Sequence, residues 1–454
     1  FNPLPLQGEK GTPRRLIEQN GCLLDAIGIE IEKKQAENVE LTRSAADFEI
    51  LHDALSIRFE RLRAVATLSG TDSTFWLDGW IPSNLVAAVT KGLKQRYLVA
   101  TDHRPAASDE EYPILFKNSK LVKPYEVIVE MYGPPSSREV DPTPVLAPFF
   151  FLFFGIMLSD VGYGLVLTAL AYWLTYKVKA GGELGKMARM LLFSGISATI
   201  WGFIFGGFFG DIVSVLSNQT VNIPAIWFNP MSDPMLLLVV SVALGVIHLF
   251  AGLGVRAYML FQTGRGIDAV LDIFPIYLMI IGLGLMMAVN NTIGMILTLT
   301  SLTVMILFGG RAAKNPVMRI INGFMSIYTN ITGYFGDILS YTRVLALVMA
   351  TSVIAMVFNL LGFIGGPTFG GILLFIPVAL IGHTLNLALS ALSAYVHTSR
   401  LQYVEFFSKF YEGSGRIWRP LDRKTRYIEI GPEEAGTKYP AKSSSLTQTK
   451  NQED

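Results

Sequence analysis

The chain changes character about one third of the way along. Up to residue 140 apolar and charged residues alternate in short runs. Beyond it, apolar segments follow one another at about 145–178, 190–211, 234–262, 267–289, 292–310, 317–361 and 369–411. No Lys or Arg stands between Met190 and Val255, none between Gly266 and Gly310, and only Arg343 between Ile320 and Ser399. Segments of this length with so few charges read as transmembrane helices. The last two span about 40 residues each, about 60 Å as helix against a hydrocarbon core of about 30 Å. They must tilt steeply or project beyond the bilayer.

The first third predicts different elements. Residues 13–65 read as a long charged helix. Leu41, Ala45, Phe48, Leu51, Leu55, Phe59 and Leu62 step by three or four and make one apolar stripe. That pattern suits a coiled-coil or two-helix arm and, equally, an amphipathic helix on a core. A strand at 74–81, a helix at 83–93 capped by Ser83, and a strand at 97–101 then form a small α/β lobe. Residues 102–144 read as a Pro-rich linker with one strand, "YEVIVEMY". The expected organisation is a cytoplasmic domain over 1–140, a membrane domain over 141–415 and a cytoplasmic tail over 416–454.

Basic loops refine the count of spans. Lys177, Lys179, Lys186 and Arg189 separate the first two segments, Arg256 and Arg265 the third and fourth, and Arg311, Lys314 and Arg319 the fifth and sixth. Arg416, Arg419, Arg423 and Lys424 follow the last. The positive-inside rule puts all of these, and both termini, in the cytoplasm. Segment 145–178 must then enter and return, with its reversal at "SDVGYG" (159–164), where two glycines and Asp160 stand. The fold class expected is a mainly α membrane protein. It has eight transmembrane helices, the last two very long and tilted, plus the cytoplasmic lobe and helical arm.

Composition agrees: 51% of the 454 residues are hydrophobic and 16% charged, against about 25% charged in soluble chains. A net charge of +1 offers no nucleic-acid surface. Cys22 is the only cysteine, which rules out an internal disulfide and a cysteine metal cluster. No Gly-rich phosphate loop opens a helix, so no cofactor is expected. The start at Phe1, without a signal-peptide pattern, reads as part of a longer chain, and the polar "AKSSSLTQTKNQED" as a disordered tail.

Arg343 is the chemical anomaly. Arg keeps its charge, and placing it at mid-membrane costs about 2.5–3.5 kcal/mol on the gentlest scale. Back from it by threes and fours stand Ser340, Gly336, Gly333, Thr329, Ser326 and Asn322, all small or polar. Forward, the same face turns apolar at Leu347, Ala350 and Ile354. On the last segment His383, Asn386, Ser390, Ser393, His397 and Arg400 make a second stripe, preceded by Ala379 and Ile376. Both stripes read as occupying the cytoplasmic half. Together they would line a wet half-passage, although small residues equally serve helix packing. His248 reads as structural. Asp160, Asp211, Asp268, Asp272 and Asp337 could serve a path from the other side, and no Glu stands between Leu184 and Val404. The carboxylate that answers Arg343 is therefore expected from a moving partner.

Three motifs carry a family resemblance. "FGIMLSDVGYG" (154–164), "SYTRVLALVMA" (340–350) and "HTSRLQYVEFFSKFYEGSG" (397–415) resemble, in order, those of the a subunit (subunit I) of rotary A/V-type ATP synthases and ATPases, the archaeal-type version in particular. The resemblance implies a non-catalytic stator subunit of a prokaryotic cell membrane, with ATP chemistry on other subunits. It would form two H⁺ or Na⁺ half-channels against a ring of c (proteolipid) subunits. Its cytoplasmic part would bind E/G-type peripheral stalks and a d/C-type central-stalk subunit. The family's essential Arg falls on Arg343 and its second Arg on Arg400. Ser340, His383, Asn386, Ser390, His397 and Asp160 complete the expected ion path. Vacuolar relatives carry a His where Thr351 stands and a Glu where Ser390 stands. The alternative reading is a secondary transporter with Arg343 as substrate anchor. A third is a scaffold in which Arg343 only donates structural bonds.

Overall fold

The computed structural model describes residues 13–71, 73–107, 110–178, 182–217, 220, 223–288, 291–311, 315–366, 368–420 and 425–427. The C-terminal 441–454, read above as a disordered tail, lie outside them. The chain divides into two compact units, Phe1–Gly79 with Arg419–Asp454, and Trp80–Trp418.

In the first unit α1 runs over Pro13–Ala66 and is followed by a two-residue antiparallel pair, β1 (Ser69–Gly70) with β2 (Phe75–Trp76). The strand expected over 74–81 shrinks to those two residues. The apolar stripe of α1 is exposed from Leu41 through Phe48, Leu51, Leu55 and Phe59 to Leu62. No core covers it among the described residues. Asp53 is the buried exception, because its carboxylate accepts the backbone N–H groups of Arg426 and Tyr427 at 2.9–3.0 Å.

The second unit opens with α2 (Val86–Arg96) behind a 3₁₀ turn over Ser83–Leu85. Ser83 makes no capping bond, and residues 97–101 are not a strand. Nor is "YEVIVEMY". Its β-branched residues argue for a strand, yet Glu126–Tyr132 is a helix, α3, led in by a 3₁₀ turn at Lys123–Tyr125. Tertiary contacts decide this, as they often override local preference. A helix puts Glu126 and Glu130 on one face, where both bind Lys186 Nζ, at 3.2 and 2.6 Å. It also lets Val127, Ile128 and Val129 all be buried.

Then come α4 (Thr143–Leu158), α5 (Val161–Tyr172, extended by a π turn over Trp173–Lys177), α6 (Gly182–Phe205), α7 (Ile212–Leu216) and α8 (Pro234–Gln262). They are followed by α9 (Gly266–Asp272), α10 (Phe274–Ala288), α11 (Asn291–Phe308), α12 (Pro316–Ser340), α13 (Thr342–Gly362) and α14 (Phe369–Arg400). A π-helical turn, Leu401–Phe406, continues α14. Among the described residues five stretches are long and apolar enough to cross a membrane: Gly182–Phe205, Pro234–Gln262, Gly266–Met286, Val317–Gly365 and Phe369–Lys409. The last two, 49 and 41 residues long, are the over-long pair read from the sequence. Thr143–Leu158 and Thr292–Phe308 are shorter apolar helices.

The chain does reverse between α4 and α5. Gly155 of α4 faces Ser197 of α6, and the turn after α4 abuts Gly207. Gly164, Thr168 and Val161 of α5 face Thr199, Gly195 and Gly202 in the opposite order. So α4 runs parallel to α6 and α5 antiparallel to it. The reason differs from the one expected. The strained residue at the turn is Ser159, with φ 21°, and neither glycine of "SDVGYG" turns the chain. They allow close approach instead: a Cβ on Gly164 would stand 2.5 Å from the Thr199 backbone N, and one on Gly162 2.4 Å from the Phe209 ring. The small face of α6 (Ser194, Gly195, Ser197, Ala198, Gly202) is the seat for both helices, and Ser197 Oγ also donates to Phe151 O at 2.6 Å.

Gly164→Ala should therefore force α5 off α6. The cost of such overpacking is about 1–3 kcal/mol. Thermal unfolding of the detergent-solubilised chain should show a lower midpoint than wild type. An unchanged midpoint would contradict this packing.

Candidate functional site

Inside the apolar core, α13 and α14 lie antiparallel and carry a chain of bonded polar side chains. Asn359 Nδ2 donates to Asp211 Oδ1 (2.9 Å) and to Phe209 O (2.8 Å). Its Oδ1 meets His383 Nε2 at 2.9 Å. His383 Nδ1 meets Tyr163 OH at 2.8 Å, and the same phenol oxygen accepts from Asn386 Nδ2 at 2.9 Å. Ser390 Oγ donates to Asn386 Oδ1 (3.1 Å), and Thr351 Oγ1 donates to Ser390 Oγ (3.2 Å). Asn386 also donates to Thr351 O. Tyr163, Asn359 and Asn386 are at most 1% exposed. Polar groups this deep must be bonded, and here they bond to one another.

The sequence places them by period. His383, Asn386 and Ser390 share one face of α14, while Thr351 and Asn359 lie two turns apart on the buried face of α13. The pairs Asn359–His383 and Thr351–Ser390 fix the register. Eight residues further along each helix, about 12 Å, Arg343 stands level with Thr398. There the second group collects. Arg343 is half-buried and its Nη1 has no hydrogen-bond partner among the described residues. It is in electrostatic reach of Arg400 and of Glu405, and His397 feels both arginines. Glu405 is 1% exposed, and Ser340 lies against its carboxylate. His397 Nδ1, Ser399 Oγ, Gln402 Nε2 and Glu405 Oε2 likewise have no hydrogen-bond partner among the described residues.

The α14 stripe is thus two groups. His383, Asn386 and Ser390 belong to the bonded chain. His397 and Arg400 belong with Arg343 and Ser340. Asp160, expected on the ion path, joins neither group. It is buried and accepts the N–H groups of Tyr163 (3.0 Å), Phe209 (3.0 Å) and Gly210 (2.8 Å), which caps α5 and pins the 206–211 turn. Asp268 and Asp272 bind Arg311, and Asp337 pairs with Lys409. The stripe behind Arg343 is open. Asn322, Thr329, Gly333 and Gly336 are exposed, and a Cβ on Gly333 or Gly336 would touch nothing.

The profile of the V-type ATPase 116kDa subunit family matches residues 31–221, which include α4–α6 and the Asp160 turn. The A-type ATP synthase subunit I of Methanocaldococcus jannaschii is 31% identical over 94% of this chain, and that of Pyrococcus abyssi 30% over 95%. The chain belongs to the V-type ATPase 116kDa subunit family. The V-type ATP synthase subunit I of Chlamydia trachomatis, a more distant member, is 22% identical over 78% of this chain and 62% of its own length. This family member spans 66% of the length of each of the two archaeal relatives.

Thr351 and Ser390, the two positions that the resemblance implies differ from vacuolar relatives, touch each other. Tyr163, Asn359, Gln402 and Glu405 escaped the sequence reading. Tyr163 stands inside a quoted motif, and Asn359 repeats Thr351 at helical spacing. Glu405 falls one residue past the stretch taken to lack Glu. Glu405 is therefore a buried carboxylate of this chain within electrostatic reach of Arg343, which the reading of a Glu-free stretch left out.

Truncating Asn359 leaves His383, Asp211 and the Phe209 carbonyl each short of a partner. Asn359→Ala and His383→Ala should be non-additive by about 0.6–1.7 kcal/mol, the span found for bonds between membrane helices. A double-mutant cycle on unfolding in detergent reads this. Strict additivity would show that the two side chains do not interact.

Proposed function

We propose that this chain is the membrane stator subunit of a rotary A/V-type ATP synthase or ATPase, and that it carries two ion half-channels separated by Arg343. In this reading it has eight crossings, with α4 and α5 as a short pair. The basic loops and both termini are cytoplasmic, in the cell membrane of a prokaryote of archaeal type. The ranges 1–140, 141–415 and 416–454 serve as stalk-binding domain, ion-channel domain and tail. ATP chemistry resides on other subunits.

The observation that carries the proposal is the placement of Arg343. It stands in a 49-residue apolar span, beyond the end of the bonded polar chain, with a guanidinium nitrogen that has no hydrogen-bond partner among the described residues. His383, Asn386 and Ser390, expected from the sequence in the cytoplasmic half, are assigned instead to the outer path because their bonds lead to Asp211. Ions enter from the outer side through Asp211, Asn359, His383, Tyr163, Asn386, Ser390 and Thr351. On the cytoplasmic side they leave past Ser340, His397 and Glu405. The open stripe on α12 faces the ring of c subunits. A carboxylate carried by that ring gives up its ion near Arg343, because a nearby cation favours the charged carboxylate. The same charge repels a cation from crossing directly between the two paths. Arg400 adds to that positive field. The exposed stripe of α1 supports docking to E/G-type peripheral stalks, with the d/C-type central-stalk subunit against the same cytoplasmic domain.

Arg343→Gln in the assembled complex should leave the subunit composition unchanged and abolish ATP-driven ion uptake into vesicles. Normal uptake would overturn the proposal. The secondary-transporter reading predicts solute uptake by the purified chain alone in liposomes, without partner subunits. The scaffold reading predicts fewer assembled complexes with normal flux in each.

A further inference from the structure

Arg343 is the second residue after a break in the long span, since α12 ends at Ser340 and α13 begins at Thr342. The residue at the break, Tyr341, has one of the most enclosed side chains in the molecule. Its ring sits in a slot made by Gly245 of α8, where a Cβ would stand 2.4 Å from the ring, and by Phe153 at 5.6 Å. Its hydroxyl meets His248 Nδ1 at 2.8 Å, and His248 Nε2 meets Gln402 Oε1 at 3.2 Å. Tyr341, His248 and Gln402 are all 0% exposed. The imidazole is held flat against Phe406, with centroids 4.6 Å apart and planes 13° apart, and Phe149 lies at 4.4 Å. Four elements meet at this one imidazole: α4, α8, the α12–α13 break, and the π turn that carries Glu405.

Packing alone does not need a histidine among so many phenylalanines. What the imidazole adds is two directed bonds, one to each side. With Nε2–H donating to Gln402, Nδ1 is left to accept from the Tyr341 hydroxyl, so ring orientation and both partners are set together. At the break the backbone ladder tightens, with Tyr341 N bonding Ile338 O and Val344 N bonding Tyr341 O. The direction in which α13 leaves the break therefore depends on where Tyr341 is anchored. Arg343 lies in the first turn after it.

We propose that His248, through Tyr341, is a positioning residue that fixes where the Arg343 guanidinium stands relative to Glu405 and to the passing ring. His248 lies on α8, outside both polar stripes. This inference rests on the ion-path reading of Arg343.

The test uses the complete complex in vesicles and reads ions moved per ATP hydrolysed, normalised to assembled complex. Tyr341→Phe removes one oxygen and keeps the ring in its slot. His248→Leu removes both bonds. His248→Gln keeps a donor and an acceptor. Misplacing a reacting group by about 1 Å can cost about 100-fold. Tyr341→Phe and His248→Leu should each lower the ratio by about tenfold on that scale, while His248→Gln restores most of it. The double variant should be no worse than His248→Leu alone. An unchanged ratio in Tyr341→Phe, with Arg343→Gln inactive, overturns the positioning role and leaves the ion-path reading standing. Normal pumping by Arg343→Gln overturns that reading instead. Loss of assembly with a normal ratio in the remaining complexes shows a purely structural histidine and also overturns the inference.

Discussion

The bond between Asn359 and His383 sets the register of α13 against α14, and that register decides what stands beside Arg343. Neither side chain can leave without stranding a polar group in an apolar core, which costs more than the bond itself contributes. Thr351 and Ser390 repeat the constraint two turns along. Once both pairs are made, helical geometry brings Arg343 level with the stretch that holds His397, Ser399 and Arg400. A slip of one residue would turn the α14 stripe away by about 100° and separate every pair at once.

The bonded chain and the Arg343 group differ in kind. In the first, every polar member bonds to another. In the second, Arg343, His397, Ser399, Gln402 and Glu405 each keep an atom with no hydrogen-bond partner among the described residues. The first arrangement is rigid and ties four separate parts of the chain. The second leaves donors and acceptors for groups that come and go. A moving partner requires that contrast: a fixed frame, and a site within it whose bonds are not already spent. The open stripe of Thr329, Gly333 and Gly336 leads to that site along α12.

Much of this was legible in the sequence, where the signal is local and periodic. The two over-long spans, the reversal after α4 and the two polar stripes follow from counting apolar residues and basic loops. Arg343 stood out because no other basic residue stands between Ile320 and Ser399. What escaped depends on contacts between distant segments. Tyr163 reads as one more aromatic in an apolar helix until His383, 220 residues away, comes against its hydroxyl. Asp160 reads as an outer-end carboxylate until the 206–211 turn folds over it. The strand expected at "YEVIVEMY" becomes a helix because Lys186 gathers Glu126 and Glu130 on one face. The strands expected around Ser83 rested on propensity alone, and only Phe75–Trp76 pairs.

The central claim is that Arg343 divides two paths that open to opposite sides. Cys22 is the only cysteine, so its replacement by Ser gives a background for single-cysteine labelling. The measurement is the reaction of Ser390→Cys and Ser340→Cys with silver ion, applied to one face at a time of sealed vesicles holding the complex. The account predicts that the first reacts only from the outer face and the second only from the cytoplasmic face. Reaction of both from the same face would contradict it.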